Sequence, residues 1–150
     1  MLLLVFHVKE DSYAIDTKNV VEVIPLTHLQ SLTGAPDYVA GIFNYRGASV
    51  PVIDLCHFFK DENSNRYYNT RMILVNYKLA DKNHVLGLIA ENVSDVVQKD
   101  ESQLQSSGMQ LETSPFLGKV VFDKGAMIQN IELDKLLPDE LSTLLFSEDD

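Results

Sequence analysis

The sequence predicts a mainly β protein in which two similar barrel-like lobes pack against each other. Two observations lead to this fold class. Short β-rich runs, most of them paired around polar or glycine-bearing turns, recur along the 150 residues. In addition, residues 14–24 resemble residues 87–97, with an Asn-Val pair and an acid-Val pair at matching places. Further matches follow in the same order, Gly41 with Gly118 and Asp54–Leu55 with Glu132–Leu133.

The repeat indicates one domain built from two similar units, at residues 10–60 and 83–137. Each unit is too small to bury a good core alone, so we expect the two to be stable only when packed together. Residues that both units share are expected to be structural. Residues that occur in one unit alone are candidates for recognition.

Most of the expected strands form hairpins. The first hairpin comprises residues 2–8 and 12–15, which flank the polar turn at residues 9–11. A short strand at residues 20–24 ends at Pro25, which has no N–H to donate to a sheet. The other expected strands are residues 41–45, 48–55, 71–77, 84–89, 93–97, 118–122 and 126–131.

Beyond short turns, helix is expected only near residues 138–146. Pro138 suits the first helical position, and the acidic pair Asp139 and Glu140 suits the positive end of the helix dipole. Three leucines then have helical spacing, Leu141, Leu144 and Leu145. Residues 56–59 are expected to be an apolar connection that leads into a polar loop.

Composition excludes several classes of function. Apolar residues make up 45% and charged residues 23%, which is typical of a globular chain. The net charge of −10 argues against nucleic acid and anionic membranes as partners, because both attract clusters of Lys and Arg. No apolar run approaches the ~20 residues that a spanning helix needs, so membrane insertion is not expected. The single cysteine, Cys56, excludes an internal disulfide and fits a cytoplasmic location.

The central hairpin, residues 41–45 and 48–55, presents Arg46 at its tip. Gly47 follows, and a glycine lets the backbone tighten there without a steric penalty. Arginine is permanently charged and has five N–H donors, which suits the capture of carboxylates or backbone carbonyls. The second unit turns at residues 123–125 instead, so we expect an acidic counterpart to Arg46 and a change of charge at the tip.

Glu22 is the predicted partner of Arg46. It lies within the apolar run at residues 20–24, where strict alternation would place Val20, Glu22 and Ile24 on one side of the strand. A carboxylate in such a run needs a cation, and Arg46 is the unmatched one. The alternative is an ordinary surface glutamate on a strand.

Catalytic and metal sites are not predicted. The four histidines, residues 7, 28, 57 and 84, do not form a ligand-spaced pair. Cys56 and His57 are neighbours, and adjacent residues of a strand point to opposite faces. No nucleophile elbow, phosphate-binding loop or dinucleotide glycine pattern occurs, so no cofactor is expected.

At this point the residues carry a resemblance. The order of Tyr13–Ala14–Ile15–Asp16, Val20–Val21–Glu22–Val23, Asn44–Tyr45–Arg46–Gly47 and Val50–Pro51–Val52–Ile53–Asp54–Leu55 resembles the CheW family. The match continues through residues 87–89 and 93–96 to residues 133–137 and so covers nearly the whole chain. The resemblance implies two interlocked five-stranded SH3-like β-barrels. It also implies a non-catalytic cytoplasmic adaptor that couples the hairpin tips of chemoreceptors to the regulatory domain of a CheA-type histidine kinase.

Site residues follow from the resemblance position by position. Arg46 matches the family's receptor-binding arginine, and Glu22 matches its acidic partner. Val20 and Val96 match apolar positions of the receptor-binding groove. For the kinase, Gly41 matches a contact position, and Thr17 stands where the family usually carries an apolar residue. Tyr45 likewise replaces a commoner leucine.

Three alternatives stay open at this stage. The chain could serve a chemosensory pathway that controls surface behaviour instead of swimming. A small metal-dependent hydrolase that uses the histidines and acids is a rival from another class. The chain could also be a domain of a larger kinase or of a receiver fusion, although the start at Met1 and the acidic end favour a complete chain.

Overall fold

A computed structural model describes residues 1–109 and 111–146; Gln110 and the acidic end, residues 147–150, lie outside the described part. The described chain is mostly β, as predicted, and ends in a short helix. In chain order the elements are β1 Leu2–Val8, β2 Asp11–Asp16, β3 Val20–Pro25, β4 Val39–Tyr45, β5 Ala48–Asp54, α1 Leu55–Lys60, β6 Arg71–Leu79, β7 Lys82–Gln98, β8 Leu117–Asp123, β9 Ala126–Ile131 and α2 Asp139–Leu145.

Strand β7 interlocks two five-stranded lobes. Its first half pairs with β6 and β5, whereas its second half pairs with β1. One lobe therefore contains β3, β4, β5, β6 and β7, and the other contains β1, β2, β7, β8 and β9. The halves meet at Asn92, whose φ of 49° is tolerated because asparagine adopts the left-handed region more readily than most residues. The sequence prediction divided this strand into two shorter ones.

Strand pairing repeats between the two lobes. The parallel pair β2–β9 places Ala14 opposite Asn130, and the parallel pair β5–β7 places Gly87 opposite Val52. Ala14 and Gly87 are the first residues of the two segments that the sequence repeat matches. The antiparallel pairs agree as well, with Val23 opposite Ile73 and Val96 opposite Leu4. This register agrees with a duplicated unit, while the unit boundaries at residues 10–60 and 83–137 stay a prediction.

The main hydrophobic core lies between the lobes and draws on both of them. It includes Phe6 of β1, Ile73 of β6, Leu88 of β7 and Phe146 after α2. Each lobe also has a small cluster of its own. One comprises Leu3, Val5, Ala14, Val121 and Ile128, and the other comprises Val52, Met72 and Ile89. Because these separate clusters are so small, most of the buried apolar surface depends on the contact between lobes.

Helix α1 corrects the prediction of an apolar connection at residues 56–59. Asp54 caps its first turn by accepting hydrogen bonds from the backbone N–H groups of Cys56 at 3.0 Å and His57 at 3.5 Å. Leu55 and Phe58 have the i, i+3 spacing of a helix face. That spacing, after an aspartate, was the signal in the sequence.

Helix α2 lies where it was predicted, although Pro138 precedes its first residue instead of occupying it. Leu141 is buried, but Leu144 is 64% exposed, so the expected apolar face is narrower than the leucine spacing indicated. No helix in residues 1–109 and 111–146 has the length and apolar character needed to cross a membrane.

Candidate functional site

The tip of the β4–β5 hairpin presents Arg46. Tyr45 pairs with Ala48, and the two residues between them have φ of 52° at Arg46 and 87° at Gly47. Two consecutive positive φ angles indicate a type I′ turn, whose twist matches that of the flanking strands. The Gly47 N–H donates to Asn44 Oδ1 at 2.8 Å and fixes the turn. The Arg46 side chain consequently projects from a rigid support and is 77% exposed.

Glu22 contacts this tip from β3, as predicted. Its Oε1 lies 3.6 Å from Arg46 Nη2, and the same oxygen accepts a hydrogen bond from the Tyr45 hydroxyl at 2.6 Å. The Arg46 guanidinium carbon lies 5.0 Å from the centre of the Tyr45 ring. Glu22 and Tyr45 thus contact Arg46 from two directions. We call Glu22, Tyr45 and Arg46 the arginine cluster.

Electrostatics of the arginine cluster favour a neutral phenol. The hydrogen bond to Glu22 is the main cause that raises the pKa of Tyr45, with partial burial adding to it and Arg46 opposing it. The Arg46–Glu22 pair is exposed to solvent, with 41% of the Glu22 side chain accessible. Such an exposed pair contributes little to stability.

A bulge in β3 overturns the expected alternation around Glu22. Val20 pairs with Val75, and Glu22 pairs with Leu74, so that Val21 is the extra residue. Val20 and Val23 both pack against the main core, and Ile24 packs against the small cluster of Val52, Met72 and Ile89. Val20 therefore faces away from Glu22, whereas the regular pairing after the bulge keeps Ile24 on the face of Glu22.

The second hairpin corrects the expectation of an acidic counterpart to Arg46. Lys124 and Gly125 have φ of 51° and 82° and occupy the turn of the β8–β9 hairpin as Arg46 and Gly47 occupy theirs. A cation is therefore present at both tips. The preceding residue differs, because Asp123 replaces the aromatic Tyr45. Its carboxylate binds Lys99 at 3.0 Å.

The two predicted groove valines differ in exposure. Val96 is 55% exposed in the second half of β7, whereas Val20 is half-buried on β3. The prediction that they are not both buried is confirmed. The valine that the sequence repeat matches to Val96 is Val23, which is half-buried against the main core. Exposure of Val96 is therefore not a feature that the two lobes share.

The predicted kinase-contact residues have clear local roles. Gly41 has φ of 147°, and a Cβ there would lie 2.4 Å from the backbone oxygen of Gln30. Gln30 bridges to Ile42 through two backbone hydrogen bonds of 2.8 Å, so the chain passes very close to Gly41. Thr17 is half-buried and begins a 3₁₀ turn, Thr17–Asn19, which Asp16 caps through the Lys18 N–H at 3.0 Å.

Comparison with known proteins decides the family. The family model for the CheW-like domain matches residues 2–141. The chain belongs to the CheW-like family. It is 27% identical to the chemotaxis protein CheW of Klebsiella aerogenes over 145 residues, which cover 95% of this chain and 84% of that protein. It is 26% identical to the chemotaxis protein CheW of Bacillus subtilis over 142 residues, or 93% of this chain and 88% of that protein.

A solved structure supports the same family. The scaffolding protein TtCheW from Thermoanaerobacter tengcongensis superimposes with a TM-score of 0.76 at 27% identity. The alignment covers 88% of this chain and 84% of that one. The two interlocked five-stranded lobes are accordingly the SH3-like barrels of a CheW-like domain, and the resemblance found in the sequence is confirmed.

In this CheW-like domain, Cys56 and His57 belong to helix α1, so the expectation that they point to opposite faces of a strand was wrong. Burial raises the pKa of the Cys56 thiol, which disfavours a reactive thiolate. The His57 ring contacts Asn63, with Nδ1 2.8 Å from Oδ1. Within residues 1–109 and 111–146, no three His, Cys, Asp or Glu residues are grouped as metal ligands.

Tyr45 is the member of the arginine cluster whose contacts sequence reasoning missed. The sequence signal was an aromatic residue at a position where the resemblance to the CheW family implies a leucine. Its significance depends on Glu22, which is 23 residues away in the chain. A contact across that separation appears only once β3 lies beside the β4–β5 hairpin.

Proposed function

We propose that this CheW-like protein is a non-catalytic cytoplasmic adaptor that couples chemoreceptors to a CheA-type histidine kinase. Its relatives are named chemotaxis proteins, and the similar solved structure is named a scaffolding protein. The observation that carries the proposal is the arginine cluster, in which a 77% exposed guanidinium is held by Glu22 and Tyr45 on a rigid turn. This geometry suits recognition of a protein surface.

The receptor would bind at Arg46. A guanidinium can capture carboxylates and backbone carbonyls, and these are the acceptors that Arg46 would bind on the hairpin tip of a chemoreceptor. Glu22 would fix the direction of Arg46. Val96, which is exposed, would add apolar surface to the receptor-binding groove. Val20 packs against the main core and would add only the part of its side chain that stays accessible.

The kinase would bind on another surface, which would be shaped by Gly41 of β4 and would include Thr17. Gly41 is buried, so it would act by permitting close approach of β4 to Gln30, which would shape the contact surface. Thr17 would supply a polar contact from its 3₁₀ turn. Simultaneous binding at two surfaces would then control kinase activity through a coupling free energy, without chemistry in the adaptor itself.

The test is a titration of Arg46→Ala against two probes separately, a coiled-coil fragment with the hairpin tip of a methyl-accepting chemotaxis protein and the regulatory domain of a CheA-type kinase. We expect receptor binding to weaken by about 2 kcal/mol, roughly thirtyfold, because a central arginine is a typical interface anchor. Kinase binding should persist.

Lys124→Ala is the matched control, because it removes a cation from the equivalent turn of the other hairpin. It should leave receptor affinity unchanged. Equal loss of both affinities in Arg46→Ala would indicate global damage, and no loss of either would refute Arg46 as the receptor anchor.

A further inference from the structure

Tyr45 is the last residue of β4 and directly precedes the turn that carries Arg46. Its hydroxyl donates to Glu22 Oε1 at 2.6 Å, and its ring lies 5.0 Å from the Arg46 guanidinium carbon. The ring also packs against Phe43 of the same strand, with 6.1 Å between centres. The phenol is consequently fixed at both ends, by a carboxylate and by a neighbouring ring.

A fixed ring beside an exposed arginine lowers the conformational entropy that the arginine loses on binding. A free arginine on a surface turn samples many rotamers, and immobilising it on a partner reduces the affinity gained. The face of the Tyr45 ring attracts the guanidinium, and Glu22, held by the phenol, attracts it from a second direction. Both contacts restrict Arg46 before any partner arrives.

The second hairpin supplies the internal comparison. Lys124 occupies the same turn position as Arg46, yet the residue before it is Asp123, whose carboxylate binds Lys99 at 3.0 Å. Of the two hairpins, only β4–β5 has an aromatic residue before the cation, so the fold does not require one. An aliphatic residue such as leucine at position 45 would retain the strand without the hydrogen bond or the ring face.

We infer that Tyr45 is a positioning residue of the receptor site, which preorganises Arg46 through its ring face and through its hydrogen bond to Glu22. The inference rests on the proposed receptor contact of Arg46. Tyr45 acts through Arg46 and not by touching the receptor. Its effect on affinity therefore depends on the presence of Arg46.

The experiment measures affinity for the receptor-tip fragment in a double-mutant cycle with the full chain. Tyr45→Leu removes both contacts and should weaken binding about tenfold. Tyr45→Phe retains the ring and removes only the hydroxyl, and it should lose about threefold. In an Arg46→Ala background, Tyr45→Leu should change affinity by less than about twofold, because the residue on which Tyr45 acts is gone.

Two affinity results would overturn the inference. Equal effects of Tyr45→Leu with and without Arg46 would mean that Tyr45 contacts the receptor directly. No effect of Tyr45→Leu in the presence of Arg46 would mean that the contacts of Tyr45 are irrelevant to binding. Thermal unfolding of each variant identifies any loss that comes from the fold.

A second readout is independent of the receptor. The Arg46 Nε–H resonance should carry a ring-current displacement that Tyr45→Phe retains and Tyr45→Leu abolishes. If Arg46→Ala binds the receptor normally, the proposed receptor contact is wrong. The Arg46 Nε–H resonance then still tests whether Tyr45 positions Arg46. An unchanged resonance in Tyr45→Leu would refute it.

Discussion

Gly41→Ala should destabilise the protein strongly, because two separate penalties act at this position. A non-glycine residue at φ of 147° is strained by about 1–3 kcal/mol. The new Cβ would also lie 2.4 Å from the Gln30 backbone oxygen, so the segment must move. Movement weakens the two Gln30–Ile42 hydrogen bonds, at about 1 kcal/mol each. We expect a total of about 3 kcal/mol or more.

Gly118→Ala is the matched control, since the sequence repeat pairs Gly118 with Gly41. Its backbone is not in the positive-φ region, and a Cβ there would lie 3.1 Å from Glu132 Cγ, which belongs to a flexible side chain. A Cβ would also lie 3.3 Å from the Asn130 oxygen, a tight but tolerable approach. The expected loss is below about 1 kcal/mol.

Urea and thermal unfolding measure both variants. For a chain of this size, 3 kcal/mol corresponds to a fall in Tm of roughly 6–12 °C. Equal stability of Gly41→Ala and Gly118→Ala would refute the argument from close backbone approach. Binding measured well below the Tm then separates two roles of Gly41. Loss of kinase affinity alone in a folded variant would indicate a contact, and loss of both affinities would indicate distortion of β4.

Three further predictions concern other residues. Val96→Asp should weaken receptor binding with little loss of stability, because Val96 is largely exposed; cooperative unfolding at a much lower temperature would contradict this. Asp54→Ala should lower the free energy of unfolding by about 2–4 kcal/mol, because the buried carboxylate caps α1 and also accepts hydrogen bonds from the Ser64 N–H and hydroxyl. The control is Asp16→Ala, which removes a cap with one exposed hydrogen bond and should cost less than about 1 kcal/mol in urea unfolding. Burial raises the pKa of the Tyr77 hydroxyl above that of an unfolded tyrosine, about 10. The contribution of Tyr77 to the free energy of unfolding is therefore fully present below about pH 10 and is lost as the pH rises through the raised pKa. Tyr77→Phe should therefore lose less stability than the wild type between about pH 9 and 11, and identical losses in urea unfolding would refute this.

Most strands could be predicted because their signals are local. Apolar runs around turns give β1, the β4–β5 hairpin and the β8–β9 hairpin close to their observed bounds. The continuity of β7 could not be predicted in this way. The polar pair Glu91–Asn92 interrupts its apolar run, and its second half is held by β1, which is distant in the chain. The bulge at Val21 was also hidden, because it depends on the register with β6.

The candidate site was predictable only in part, because several of its contacts join residues that are distant in the chain. Arg46 is marked by its turn, and Glu22 is marked as a charge within an apolar run. The role of Tyr45 depends on which oxygen its hydroxyl reaches, and the exposure of Val96 depends on how β7 passes from one lobe to the other. Helix α1 was missed because six residues carry too little periodicity to separate a buried helix from a buried strand.

Comparison of the two hairpins shows what distinguishes the proposed recognition site from the equivalent turn of the other lobe. Both tips carry a cation followed by glycine in the same turn, so neither the turn nor the charge distinguishes the lobes. The neighbours of the cation do differ. Arg46 lies beside an aromatic ring and a carboxylate from another strand, whereas Asp123, the residue before Lys124, is paired with Lys99. Binding specificity would then come from the Tyr45 ring and the Glu22 carboxylate, which hold the cation in place. A duplicated hairpin can acquire a binding specificity when the neighbours of its cation change and its turn stays the same.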